Sequence, residues 1–175
     1  MTPSRGVLLF LALASIAPDL RAQVWAGALV GDRQYLYGSK EAWPALELRL
    51  GIGARLLRAE LGAAAATRAG GSETEGTVGI GGAVREVRRR YGWFGTWGLG
   101  YSRLHADRPA GTGSSHAGYG RVGVRWALSA RWNVGIDFRF LAGPDRLHRD
   151  GSTQPVTFLQ LGTVFEWGPH VAAIR

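Results

Sequence analysis

At 175 residues the chain suits a single domain, and its 27 glycines leave no room for the long helical periods of a bundle. Cysteine is absent, which excludes a disulfide framework and a thiolate metal site. The net charge of +8 is almost all arginine, Lys40 being the only lysine; the arginines form no single stripe, so nucleic acid is not expected as a partner.

The opening residues predict export. Arg5 supplies a positive start, residues 6–17 (GVLLFLALASIA) are apolar, and Ala22 suits a cleavage position. The run is too short to cross a bilayer as a helix, and no later stretch after Gln23 is long enough either. The expected organisation is a secretory signal over 1–22, a barrel over 23–167 and a short tail over 168–175.

From Val24 the chain breaks into eight segments separated by turn-rich pieces. The first, 24–31, alternates too weakly for its faces to be assigned. In 45–56, Leu46, Leu48, Leu50 and Ile52 share one face and Glu47, Arg49, Gly51 and Gly53 the other. Segment 57–67 sets Leu57, Ala59, Leu61, Ala63 and Ala65 against Arg58, Glu60 and Gly62. In 77–87, Val78, Ile80 and Val84 oppose Gly79, Gly81, Ala83 and Arg85. Segment 91–104 sets Trp93, Trp97, Leu99 and Tyr101 against Thr96, Gly98, Gly100 and Ser102. The sixth, 121–128, has Val122, Val124 and Trp126 opposite Arg121, Gly123 and Arg125. The seventh, 132–140, has Trp132, Ile136 and Phe138 opposite Gly135, Asp137 and Arg139. The last, 156–167, has Leu159, Leu161, Thr163, Phe165 and Trp167 opposite Phe158, Gln160, Gly162, Val164 and Glu166.

Short turns are expected near 56–57, 88–90 and 129–131, and long links over 32–44, 68–76, 105–118 and 142–155. In an up-and-down meander all long links then fall at one end, as in transmembrane barrels. Alternation alone also fits a soluble lipocalin-like carrier with its apolar face inward. Bulk decides between them, because the lumen of an eight-stranded barrel only just accommodates side chains. The apolar face is the bulky one and the other is mostly small, so the bulky face is expected against lipid. The fold class expected is therefore all-β, a closed antiparallel up-and-down transmembrane barrel of eight strands.

Aromatics support the same reading. Trp25, Tyr91, Trp93, Trp126, Trp132, Phe165 and Trp167 lie near the short-turn end of their segments, and Tyr101, Tyr119, Phe140 and Phe158 near the other. Two such belts suit the membrane-water interfaces. The lumen is expected to hold Glu47, Arg49, Arg55, Arg58, Glu60, Arg85, Arg121, Arg125, Asp137, Arg139 and Glu166 as a mixed-sign network. With seven arginines to four carboxylates in that set, several arginines should reach water at the barrel ends, and no open pore is expected.

Gln160-x-Gly162-x-x-Phe165-x-Trp167 resembles the last-strand signal of bacterial outer-membrane barrels, although that signal usually ends the chain and here 168–175 follow. Over 24–167 the chain resembles the small eight-stranded outer-membrane barrels of the OmpA/OmpX type. The resemblance implies a Gram-negative outer-membrane location among outer-membrane lipids, insertion by the barrel assembly machinery and both termini in the periplasm. A monomer is expected.

Chemistry is sparse. Ser114-Ser115-His116, with Asp107 nearby, is the one hint of a nucleophile and base, and some small outer-membrane barrels deacylate lipid A. The strand-borne His-x-Ser arrangement of those enzymes is missing, so the three residues read as a flexible loop. His105, His116 and His148 lack metal-ligand spacing, and Gly79-x-Gly81-Gly82 lacks the strand-turn-helix setting of a nucleotide site. No cofactor is expected. Arg88-Arg89-Arg90 reads as a solvated basic turn. The function expected is non-enzymatic, in envelope integrity or adhesion through long outer loops. A lipid-modifying hydrolase and a soluble periplasmic carrier are the alternatives.

Overall fold

The computed structural model describes residues 23–36, 42–54, 56–84, 92–108, 111–143 and 156–168. Eight antiparallel strands follow in chain order: β1 Gln23–Tyr35, β2 Ala42–Gly53, β3 Arg58–Arg68, β4 Gly71–Ala83, β5 Trp93–Arg108, β6 Gly111–Ala127, β7 Trp132–Gly143 and β8 Val156–Trp167. Each pairs with the next, and β1 pairs with β8 from Ala26↔Trp167 to Tyr35↔Phe158, which closes the barrel. Closure leaves no open sheet edge among these pairs and satisfies the backbone in an apolar medium.

Side chains alternate along most of each strand. Leu48 (55% exposed), Leu61 (62%), Val122 (58%), Ile136 (58%) and Leu161 (58%) point outward, while Glu47, Glu60, Arg121, Asp137 and Gln160 beside them are buried. The outward apolar row ends at a similar step on several strands. It runs from Trp93 to Tyr101 before Arg103 on β5, and from Trp126 to Gly118 before His116 on β6. Ten residues along a strand tilted by about 40° rise roughly 25 Å, the height of the apolar band in outer-membrane barrels. An inward-greased soluble carrier would show the reverse polarity.

Several segment limits differ from the sequence expectation. Residues 68–76 and 105–118, expected as long links, are strand except for 69–70 and 109–110 between the elements. Ala69 and Gly70 form the turn from β3 to β4, with Gly70 at φ 85°, which glycine adopts without strain. The long link expected over 32–44 shrinks to the six positions 36–41, because β1 continues to Tyr35 and β2 begins at Ala42. At the opposite end, where the described chain begins and ends, the turns span 54–57 and 128–131, but nine positions, 84–92, separate β4 from β5. Of the links expected to be long, the one between β7 and β8 keeps its length, twelve positions over 144–155, so link length separates the two ends only in part. β5 and β6 are the longest strands, with 16 and 17 residues, and β6 runs on past Gly118, where its pairing with β7 ends. The expected signal at 1–22, most of the 168–175 tail, Arg55, Arg85, Arg88 to Arg90 and His148 lie outside the described residues.

Aromatic placement needs three corrections. Trp93, Trp132 and Phe165 face outward, and Trp126 and Trp167 lie half-buried on the same outer face. Trp25 instead turns into the lumen, 2% exposed, because the odd-numbered residues of β1 are the inward ones. Tyr119 and Phe158, expected in the far belt, also point inward, leaving Tyr101 and Phe140 as the outward aromatics there.

If the outer face meets hydrocarbon, Leu48→Arg should destabilise the folded barrel in vesicles by about 2–4 kcal/mol, and Thr74→Arg, past the apolar row, by about 0–1 kcal/mol. Urea unfolding followed by tryptophan fluorescence reads both.

Candidate functional site: the ionic lumen

The inward residues of seven strands build one ionic network, and β5 supplies the uncharged Ser102. Toward the hairpin end, Arg33 on β1 donates through Nη2 to Glu75 Oε2 at 2.5 Å and through Nε to Gln160 Oε1 at 3.0 Å. Its Nη1 lies 3.8 Å from Glu73, which accepts from the Tyr35 hydroxyl at 2.5 Å. Glu75 also accepts from Ser102 Oγ at 2.5 Å and from both terminal nitrogens of Arg139, Nη1 at 3.1 Å. One carboxylate thus serves two arginines and a hydroxyl, all fully or almost fully buried.

The chain of charges continues toward the terminal end. Arg139 lies 3.6 Å from Glu47, which pairs with Arg49 at 2.6 Å; Arg49 in turn donates to Asp137 at 2.5 Å. Asp137 also meets Arg125 at 2.7 Å and Arg121 at 3.6 Å. Arg121 reaches Glu60 at 2.7 Å, Glu60 meets Arg58 at 2.7 Å, and Arg58 ends the series on Glu166 at 2.9 Å. Guanidinium planes also lie over rings: Arg33 on Phe158 at 4.7 Å, Arg139 on Tyr119 at 4.5 Å and Arg58 on Trp25 at 4.6 Å. Arginine suits these positions because its planar fork bridges carboxylates while its face stacks on an aromatic.

Small residues make the room. A Cβ at Gly98 would stand 2.8 Å from Arg121 Nη2, and one at Gly123 would overlap Asp137 Oδ1. β5 therefore contributes space where its neighbours contribute charge. Above the network, toward the hairpin end, the lumen becomes apolar: Tyr35, Trp43, Ala45, Ala66, Leu104, Ala106, Ala117, Tyr119, Leu141 and Phe158 form one buried cluster.

Every sequence-expected lumen charge within the described residues, Glu47, Arg49, Arg58, Glu60, Arg121, Arg125, Asp137, Arg139 and Glu166, has an ion-pair partner across or along the barrel wall. Three charged members were missed. Arg33 lies past the expected end of the first segment, and Glu73 and Glu75 lie in a stretch expected to be a loop. Their inclusion changes the balance: Arg33, Arg49, Arg58, Arg121, Arg125 and Arg139 face Glu47, Glu60, Glu73, Glu75, Asp137 and Glu166, six against six. The expected excess of arginine reaching water is not found among the described residues.

In the last strand, Gln160 and Gly162 face the lumen and Phe165 and Trp167 the outside, so that motif straddles both faces of the wall. Of the Ser-His hint, Ser115 is buried in the lumen while Ser114 and His116 are exposed on the outer face. Ser114 Oγ lies 3.0 Å from His105 Nδ1 and His116 Nδ1 bonds the Tyr101 hydroxyl, so Ser114 pairs with His105 and not with the histidine beside it in sequence. No group of three or more His, Cys, Asp or Glu able to hold a metal occurs among the described residues.

Removing Glu75 tests the weight of the network. Glu75→Gln leaves Arg33 and Arg139 without their shared counter-charge and should cost about 3–5 kcal/mol of stability, the scale for breaking a buried pair. Chemical denaturation in detergent micelles checks it.

No protein-family model and no curated protein matches the chain. Solved structures do. The chain is similar to the N-terminal β-barrel domain of Pseudomonas aeruginosa OprF, with a TM-score of 0.63, 6% identity and coverage of 85% of this chain and 99% of that one. It is also similar to Neisserial surface protein A, with a TM-score of 0.55, 11% identity and coverage of 85% and 96%. At such low identity the likeness concerns the fold, and the lumen described above is this chain's own. The chain has the fold of the small eight-stranded outer-membrane β-barrels.

Proposed function

We propose that the protein is a non-enzymatic integral β-barrel of a Gram-negative-type outer membrane, with a closed polar lumen, serving envelope integrity and surface contact at its hairpin end. The observation carrying this reading is the pairing of six lumen arginines with six carboxylates across the barrel. A conducting pore would need charges lining a water column, whereas these buried side chains pair with one another between strands that are not neighbours. One small cavity, bordered by Trp25, Gly27, Arg49, Arg58, Glu60 and Glu166, measures about 10 Å³, room for about one water molecule.

Residues 1–22 would direct export, and Gln160, Gly162, Phe165 and Trp167 would be read by the barrel assembly machinery during insertion. Outer-membrane lipids would then surround a monomer whose termini face the periplasm, placing the β5–β6 hairpin at the cell surface. Contact there would come in part from strand, because β5 and β6 extend beyond the apolar row as paired backbone.

Two measurements test this. Unheated protein should fractionate with membranes and migrate faster on a gel than the heated form. In planar bilayers it should give no large, steady single-channel conductance; a reproducible open pore would overturn the closed-lumen reading.

A further inference from the structure

The outer face of the β5–β6 hairpin carries a second polar group that the lumen network does not use. Arg103 is exposed on β5, directly opposite His116 on β6 and Gly76 on β4. It stands ten residues past Trp93, hence roughly 25 Å higher along a tilted strand, at the edge of the hydrocarbon band. Each lumen arginine has a carboxylate; Arg103 has none within ion-pair reach among the described residues. Asp107, the nearest acid along β5, lies further out and accepts from Thr112 at 3.3 Å.

Two histidines flank the arginine, each with one ring nitrogen already engaged. His116 Nδ1 bonds the Tyr101 hydroxyl and its ring stacks on that tyrosine, centroids 5.6 Å apart. His105 Nδ1 meets Ser114 Oγ at 3.0 Å. Both rings are thereby held with Nε2 left for an external group. The neighbouring outward positions are small: a Cβ at Gly76 would meet nothing within 4 Å. A guanidinium, two anchored imidazoles and bare backbone therefore occupy neighbouring outward positions just past the end of the apolar row.

We propose that Arg103, with His105 and His116, binds the phosphorylated headgroup of a lipid in the leaflet at the hairpin end. The inference rests on the membrane-spanning reading above. Phosphate fits because it accepts a forked guanidinium and further N–H donors at once. A headgroup is favoured over a free anion because the outward apolar side chains immediately below, Leu99 and Tyr101, would contact the acyl chains of the same molecule.

Native mass spectrometry of the detergent-folded full chain, offered diphosphoryl lipid A and the same lipid stripped of phosphate, tests the proposal. The wild type should retain the phosphorylated form in preference. Arg103→Gln should cut that preference about tenfold, the effect of losing one charge-assisted hydrogen bond. His116→Gln should weaken it less, and Arg131→Gln, at the other end, should leave it unchanged. Equal retention of both lipids by the wild type, or an unchanged preference in Arg103→Gln, would overturn the proposal. Displacement of the lipid by millimolar inorganic phosphate would likewise show a free-anion site instead. Heat-modifiable mobility, run on every variant, separates the two readings: its loss in the wild type defeats the membrane barrel, and its retention without phosphate preference defeats only the headgroup site.

Discussion

Glu75 accepts from Arg33, Arg139 and Ser102, and Asp137 lies between Arg49, Arg121 and Arg125. These two carboxylates tie together strands that are not neighbours in the sheet, and the rest of the barrel depends on them. An eight-stranded lumen is only wide enough for side chains to fill, so a charge placed there meets other side chains instead of bulk water. Each arginine then has to find an acid on another strand or carry the full desolvation cost. The ionic chain from Glu73 to Glu166 meets that demand. Its geometry also selects the glycines: Gly98 and Gly123 are bare where Arg121 and Asp137 need the volume.

The outward row and the inward network constrain one another through the pleat. Because the side-chain period is two, a one-residue slip of any strand would turn its leucines inward and its charges into lipid. Register is therefore defended twice, by hydrocarbon on one face and by specific ion pairs on the other. Arg49 illustrates the second defence: it contacts Glu47 on its own strand and Asp137 on β7, a strand several places round the barrel. Moving β2 by one position would break the Asp137 contact and turn Glu47 and Arg49 together toward the acyl chains.

Fold and polarity were legible in residues 45–61 and 96–102 because there every second residue is greasy and the residues between are small or charged. The alternation failed as a signal in 68–76 and 105–118 for a physical reason. Past the hydrocarbon edge the outward positions become polar, as Ser72, Thr74, Arg103, His105 and Ser114 do, while Glu73 and Glu75 keep the inward positions of β4 polar as well. Hydropathy then no longer alternates although burial still does. Strand looks like loop, and Arg33, Glu73 and Glu75 drop out of the expected site with it. Trp25 was misplaced differently: belt membership was judged by nearness to a segment end, which says nothing about the face. Its burial and its ring beneath Arg58 reveal the inward role.

The same transition explains why the barrel stays ordered beyond the membrane. Within the apolar band the wall is greasy outside and ionic inside. Toward the hairpin end it reverses: Tyr35, Trp43, Leu104, Leu141 and Phe158 form a buried apolar cluster inside, and Thr74, His105 and Ser114 face out. That is the polarity of a water-soluble β-protein, stabilised by apolar burial instead of charge pairing. One continuous set of strands thus satisfies two solvents in turn, and Arg33 stands at the changeover, its guanidinium between the Glu75 carboxylate and the Phe158 ring. On the outer surface Arg103 occupies the corresponding boundary, where apolar side chains give way to polar ones. A chain built for hydrocarbon alone would have no reason to carry its strands past that line. This one does, because the interior cluster gives the protruding β5 and β6 a core of their own to fold around.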